Sequence, residues 1–299
     1  MTTLSSRNGN LEFGPGKPTL LINDQLRVID QSLQVLTELG AGKLDKLLEL
    51  ARLGQRAGTD VVDILVNHHD LDEVALLPQV AVAVHHEIGC PISLDSRDPK
   101  ALDAALSALQ PHKALINSVT AEPDALETLL PVAKKHRAAV VGMPIGHQHG
   151  LPKTVEGRLA EARVIVETAE RYGIPREDVV IDAICLASSA EPGSMQVTLE
   201  TLHALHQELG VATLLGIGNA GFGMPDQTRI DLAYLLAAVP WGLDAALVDP
   251  ATPGLIESVR AIDFLTGRDP YGSRYIQHYR AQRTREGGSQ SRAKKQVSQ

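Results

Sequence analysis

Carboxylates and carboxamides stand at the carboxyl ends of the short apolar runs of this chain. Asn23 and Asp24 follow the first run, Asp63 and Asn67 belong to the second, and Asp95, Asn117, Asp182 and Asn219 close later ones. The set holds neither a nucleophile with an adjacent base nor a phosphate cradle, which argues against covalent catalysis and phosphoryl transfer. An ionised carboxylate only accepts hydrogen bonds, whereas a carboxamide both donates and accepts. Together they suit a neutral heterocycle with a guanidine-like edge. Its ring N–H and amino groups would meet Asp, and its carbonyl and ring nitrogens would take the Asn amides. A pterin presents that pattern. Any one of these residues can instead cap a helix, and Asp95 and Asn117 stand close before helical segments.

The other reactive side chains are less organised. Of the histidines, His68-His69 and His85-His86 are adjacent in sequence, so their rings are expected to face different ways. His147 and His149 have a spacing that could share a metal, yet no neighbouring carboxylate completes the set, and no metal is expected. Cys90 and Cys185 lack a CxxC spacing, which disfavours a disulfide framework or thiolate site and fits a reducing cytoplasm. Cys185, just after a run, reads as a small buried hydrophobe.

The elements that must position the polar set alternate along the chain. Strand candidates are Thr19 to Asn23, Asp60 to Val66, Pro91 to Asp95, Lys113 to Asn117, Ala138 to Met143, Val179 to Ala183, Ala212 to Gly218 and Asp244 to Val248. Helical stretches fall near 43–57, 73–88, 99–109, 122–136, 154–172, 194–209, 226–239 and 253–266. Such alternation predicts a parallel α/β fold of (β/α)8 barrel size, in which chemistry gathers at the carboxyl ends of the strands. The runner-up is a doubly wound sheet, but the one GxGxxG stretch, Gly216 to Gly221, closes the seventh strand and runs into Pro225 rather than opening an early helix. The expected organisation is an N-terminal extension over 1–18, a single barrel over 19–279, and a polar, disordered tail over 280–299.

Composition narrows the class further. The 299 residues are 43% hydrophobic and 21% charged, enough apolar surface for a folded core. A net charge of -8 argues against nucleic acid and anionic membrane as partners. With 3 Phe, 1 Trp and 5 Tyr there is too little aromatic surface for base stacking. Met1 to Asn10 has no apolar signal core, and the richest apolar stretch, Leu232 to Val248, is broken by Pro240, Trp241 and Asp244, so a cytoplasmic protein without a membrane span is expected.

Six segments in order carry a resemblance over roughly residues 40 to 270. They are Pro91-Ile92-Ser93-Leu94-Asp95-Ser96, Leu115-Ile116-Asn117-Ser118-Val119-Thr120-Ala121-Glu122, Gly150-Leu151-Pro152-Lys153-Thr154, Gly173 to Asp182, Gly218-Asn219-Ala220-Gly221-Phe222-Gly223-Met224-Pro225, and Gly242-Leu243-Asp244-Ala245-Ala246. Together they resemble the methyltetrahydrofolate:corrinoid protein methyltransferases, pterin-binding barrels related to dihydropteroate synthase and to the folate module of cobalamin-dependent methionine synthase. The resemblance implies a homodimeric (β/α)8 barrel that moves a methyl group between N5 of tetrahydrofolate and the cobalt of a cobalamin or other corrinoid carried by a partner protein. It implies that Asp95, Asn117 and Asp182 bind the pterin edge, that the Asn219 amide reaches N5 as the catalytic group, and that Asp63 and Gln227 add pterin contacts.

Two segments depart from the family pattern. Leu21-Ile22-Asn23-Asp24-Gln25-Leu26-Arg27 stands where members carry Gly-Glu-Arg-Ile-Asn, and Asp226-Gln227 replaces Asn-Arg after Pro225. A dihydropteroate synthase-like enzyme is an alternative, although the strand-one Asp-Ser-Phe-Ser loop, a late Ser-x-Lys clamp and an Arg-x-His ending are missing. A non-catalytic pterin-binding component of a corrinoid system is another. An Asn amide donates a hydrogen bond but no proton at neutral pH, so protonation of N5 is left to solvent, with no His or Glu clearly placed for it.

Overall fold

The computed structural model describes residues 1–146 and 148–296, with side chains through Thr284. Two short strands, β1 (Thr2–Ser6) and β2 (Gly9–Phe13), form an antiparallel hairpin. The remaining strands are β3 (Leu20–Arg27), β4 (Val61–Leu65), β5 (Ile92–Asp95), β6 (Leu115–Thr120), β7 (Ala139–Met143), β8 (Val179–Asp182), β9 (Ala212–Gly216) and β10 (Ala245–Val248). They pair parallel in chain order, and β10 closes the ring against β3. Closure excludes the doubly wound sheet and makes this a (β/α)8 barrel.

Helices wrap the outside: α1 (Leu33–Gly40), α2 (Asp45–Ala57), α3 (Glu73–Ile88), α4 (Pro99–Ala108), α5 (Pro123–His136), α6 (Val155–Arg171), α7 (Ser194–Ala204), α8 (Gln227–Ala238), α9 (Leu255–Leu265) and α10 (Ser273–Gln296). Side-chain caps fix several starts. Asp72, Asp98 and Thr154 accept backbone N–H groups in the first turns of α3, α4 and α6. The short α1 was not expected from the sequence. Among the described residues, no helix is long and apolar enough to cross a membrane.

Alternate strand residues serve two cores. Leu21, Val62, Ile64, Leu94, Ile116, Ile181 and Leu215 pack outward against the helices. Leu20, Ile22, Val61, Leu115, Val180 and Leu214 fill the lumen, joined there by Leu4 and Phe13 of the hairpin. The segment 1–18, expected as a bare extension, is therefore the floor of the barrel. Ser5 donates its N–H to the Lys113 carbonyl at 3.0 Å, and the Thr2 hydroxyl donates to the Glu177 carbonyl at 2.6 Å, both just before strands begin. The period-2 burial of Thr2, Leu4 and Ser6 was hidden because so short a strand holds only one large apolar side chain. At the other terminus, α10 carries backbone helix into the stretch expected as a polar tail, as far as Gln296. Residues 297–299 lie outside the described residues.

Candidate functional site

Lumen parity explains which polar residues converge. On each strand the inward phase runs two by two from an apolar or small residue to a polar one: Val61 to Asp63, Ser93 to Asp95, Leu115 to Asn117, Val180 to Asp182. Strand register sets their heights. Asp95 lies beside Asn117, while Asp63 pairs with Ser93 and so sits one pleat deeper. From there the Asp63 carboxylate accepts the Asn117 Nδ2–H at 3.2 Å, both residues being buried. That bond turns the amide nitrogen down and leaves the carbonyl oxygen free to accept. The β6 register shifts between Asn117 and Val119, a bulge of the kind that re-aims a side chain beside a site.

Asp182 is held from behind. Its carboxylate accepts the N–H of Ile184 at 2.8 Å, and Ile184 takes a left-handed backbone, φ 65°, that a β-branched residue rarely adopts. The strained turn is clamped by Arg158 of α6. Arg158 is 1% exposed, and its guanidinium donates to the carbonyls of Ala183 at 2.7 Å and Ile184 at 3.1 Å and to the Thr198 hydroxyl at 2.9 Å. Burial lowers the Arg158 pKa, but the three acceptors and the nearby Asp182 favour the charged form. Nothing in the sequence marked Arg158, since an arginine in an amphipathic helix normally faces water.

Burial dominates the electrostatics. It pushes the Asp182 carboxyl up to about 6 against the Ile184 hydrogen bond and the Arg158 charge. Asp63 is raised by burial and then by the charge of Asp95, and Asp95 is raised by burial against the lowering effect of Arg27 and Arg97. The charges of Arg27, whose guanidinium pairs with Asp30, and of Arg97 thus reach the acidic mouth, cations that the sequence pattern did not assign to the site. These carboxylates are short of hydrogen-bond donors, and a ligand edge rich in N–H groups would supply them.

Neither Asp95 nor Asn117 caps a helix, because Asp98 holds the start of α4 and α5 begins at Pro123. Two other residues of the expected ring leave it. Asn23 is out of phase with the lumen and donates to the Leu50 carbonyl on α2 at 3.2 Å; α2 comes so close that a Cβ on Gly54 would lie 2.3 Å from the Asn23 amide nitrogen. Asn67 is exposed and donates to Glu73 at the start of α3. Asn219 stands on the rim, exposed, in the single helical turn that follows β9. Gln227 secures that turn by donating its Nε2–H to the Gly218 carbonyl at 2.7 Å, and the Asp231 carboxylate accepts the Gly221 N–H at 2.7 Å. Gln227 thus shapes the loop carrying Asn219.

The histidines depart from expectation in two places. His68 and His69 were expected to diverge, but their rings lie 4.3 Å apart, and with Asp70 they are a group of three possible metal ligands on the loop after β4. His149, expected to lack a carboxylate, has its Nδ1 3.0 Å from Glu161. Glu161 also accepts the backbone N–H groups of Gln148 and His149, which makes it the anchor of that loop. His147 lies outside the described residues. Burial pushes the thiols of Cys90 and Cys185 up to about 12, which disfavours the thiolate, and Cys185 is buried as expected.

A (β/α)8 barrel with an acceptor-rich polar cluster at the carboxyl ends of its strands defines a class of small-molecule-binding barrels, and comparison with known proteins narrows it. The family described as pterin binding enzyme matches residues 35–249, and the chain belongs to that family. The chain is 24% identical over 229 residues to the methylcorrinoid:tetrahydrofolate methyltransferase of Eubacterium limosum, covering 75% of this chain and 83% of that protein. It is 28% identical over 246 residues to the methionine synthase of Mycobacterium leprae, a match spanning 78% of this chain but only 20% of that longer protein. Among solved structures, a Yersinia pestis dihydropteroate synthase with a pterine-sulfa conjugate aligns with TM-score 0.65 at 16% identity over 88% of this chain and 99% of that one. The 7,8-dihydropteroate synthase of Vibrio fischeri aligns with TM-score 0.64 at 19% identity over 91% of this chain and 100% of that one. These structural likenesses speak for the fold alone.

Proposed function

We propose that this protein is a methyltransferase that moves a methyl group between N5 of tetrahydrofolate and the cobalt of a corrinoid held by a partner protein. The observation that carries the reading is the placement of Asp95 and Asp182 as under-supplied acceptors on the lumen wall, with Asn117 fixed by Asp63 between them, in a chain of the pterin-binding family. The relationship to a methylcorrinoid:tetrahydrofolate methyltransferase supports the choice of reaction. Asp95 and Asp182 accept the N–H groups of the pterin edge, and the Asn117 carbonyl adds a further acceptor. Ordering the ring this way is a proximity contribution.

Asn219 acts at the rim, where N5 of a ring seated in the lumen comes closest to a docked corrinoid. Its side-chain amide hydrogen-bonds the N5 group, a contact that strengthens as charge develops there, and this lowers the barrier through differential binding. The corrinoid supplies the cobalt that gives or takes the methyl group. Exposed Phe222, Met224 and Leu151 on the loops around the same mouth, and Leu33 at the start of α1, offer apolar surface to a bulky partner.

Mixing the protein with methylcob(III)alamin and tetrahydrofolate, or with the reverse pair, and following the cobalamin absorbance tests the reading. Transfer above the protein-free rate is expected. No transfer in either direction, together with formation of dihydropteroate from a pterin pyrophosphate and p-aminobenzoate, would replace it with the synthase reaction.

A further inference from the structure

We propose that Asp24 is the residue that takes the proton from N5 of the folate when N5 is methylated and returns it in the reverse reaction; the inference rests on the methyltransferase reading above. Asp24 continues the lumen phase of β3 two residues beyond Ile22 and lies where the β3 register shifts between Asn23 and Leu26. It lines a cavity of about 270 Å³ with Gly218 and Gln227, the residues that build the turn carrying Asn219. The carboxyl thus opens on the side of the mouth where Asn219 stands.

The chemistry needs such a group. In the forward direction the N5 lone pair forms the new N–CH3 bond, and the carbon–cobalt bond breaks with its electron pair left on the corrinoid, which is reduced by two electrons. N5 sheds its proton to the Asp24 carboxylate as that bond forms. Asn219 cannot accept a proton at neutral pH, whereas a carboxylate titrating near neutrality can hold and return it.

The surroundings of Asp24 suit that role. Among the described residues, its one side-chain hydrogen bond comes from the Gln25 Nε2–H at 2.6 Å. Charged neighbours are Asp63 on β4, Asp249 beyond β10 and Arg27 on its own strand, and Asp231 of α8 lines the same cavity. Burial, aided by the two carboxylates and opposed by Gln25 and Arg27, raises the carboxyl from 3.8 to about 6. Asp63 and Asp95 are raised too, but both lie at the pterin-edge end, where Asp63 is committed to Asn117.

The test is the pH profile of single-turnover methyl transfer from methylcob(III)alamin to tetrahydrofolate. The wild-type rate is expected to rise with pH through a midpoint near 6, because Asp24 must be ionised to accept. The reverse reaction is expected to fall through the same midpoint. Asp24→Asn should lose that inflection and about a hundredfold in rate while its folate dissociation constant stays within about twofold. Asp24→Glu should recover part of the rate, and Gln25→Leu, which removes the donor, should move the midpoint upward. A structural role for Asp24 would move neither the midpoint nor the inflection. Transfer by Asp24→Asn with an unchanged profile overturns this inference and leaves the methyltransferase reading standing. Absence of transfer by the wild type overturns that reading and the inference with it. A carbon-13 titration placing the Asp24 carboxyl in the ordinary carboxylate range overturns the inference whatever the turnover.

Discussion

The two ends of this barrel obey opposite rules. At the floor, the hairpin β1–β2 drives Leu4 and Phe13, both fully buried, into a lumen lined by Leu, Val and Ala, and the backbone donors and acceptors there meet partners. At the mouth, the same inward parity delivers Asp63, Asp95 and Asp182 into burial with too few donors, so each carboxyl is raised above its ordinary pKa. One end is built for stability. The other holds unfavourable charge in position for a ligand, as expected where activity and stability compete.

The largest expected effect that would break this division is at the floor. Phe13→Ala should cost about 3–5 kcal/mol of stability, the range for a fully buried Phe replaced by Ala. Folate affinity, measured below the lowered melting temperature, should change little. If affinity falls in step with stability, the floor and mouth are one cooperative unit.

At the mouth the expectation reverses. Asn219→Ala should lower the methyl-transfer rate by roughly a hundredfold to a thousandfold, the usual loss for one preorganised donor, with a smaller effect on folate affinity and little on the melting temperature. Single-turnover rate, dissociation constant and thermal midpoint on one preparation decide it, and a full rate would remove Asn219 from the reaction. Asp95→Ala should weaken folate binding by about 1.5–3 kcal/mol, the range for a hydrogen bond to a charged group. Calorimetry with and without chelator checks that loss. It also sharpens the metal question, since chelator-sensitive binding would bring His68, His69 and Asp70 into the site.

The barrel itself was legible because its cause is local. Continuous apolar runs such as Val179–Asp182 and Ala139–Met143 alternate with capped helices, and each expected strand appears within a few residues of its place. The polar ring was legible only in part. Position at a strand end named Asp95, Asn117 and Asp182, which inward parity gathers on the lumen wall, but it also admitted Asn23, whose parity turns it toward α2. Counting two residues on from Ile22 selects Asp24 and rejects Asn23, a signal present in the sequence and unused. Arg158 and Glu161 were out of reach, since their partners are backbone groups of loops whose paths only the folded chain defines. The hairpin floor was missed for a similar reason, its partners being strand starts more than a hundred residues away.

The smallest expected effect follows from the raised carboxyls themselves. Asp182 has a folded pKa of about 6 against 3.8 for the free side chain, so between those values the native state binds more protons than the unfolded state. Its contribution to stability is therefore fully present below pH 3.8 and is lost as the pH rises through about 6. Asp182→Asn is neutral throughout. The variant should match the wild type near pH 4 and be more stable at pH 8, by roughly 1–3 kcal/mol, since each tenfold change in proton affinity is worth about 1.4 kcal/mol. The amide keeps an oxygen to accept the Ile184 N–H, so the turn clamped by Arg158 should survive. The same variant should bind folate more weakly, because the acceptor the pterin edge needs has become half donor. Thermal melts of both proteins at pH 4 and pH 8, with and without tetrahydrofolate, read both signs at once. If Asp182→Asn melts below the wild type at pH 8 without ligand, the carboxylate is already satisfied in the empty barrel and the contrast between floor and mouth fails at Asp182.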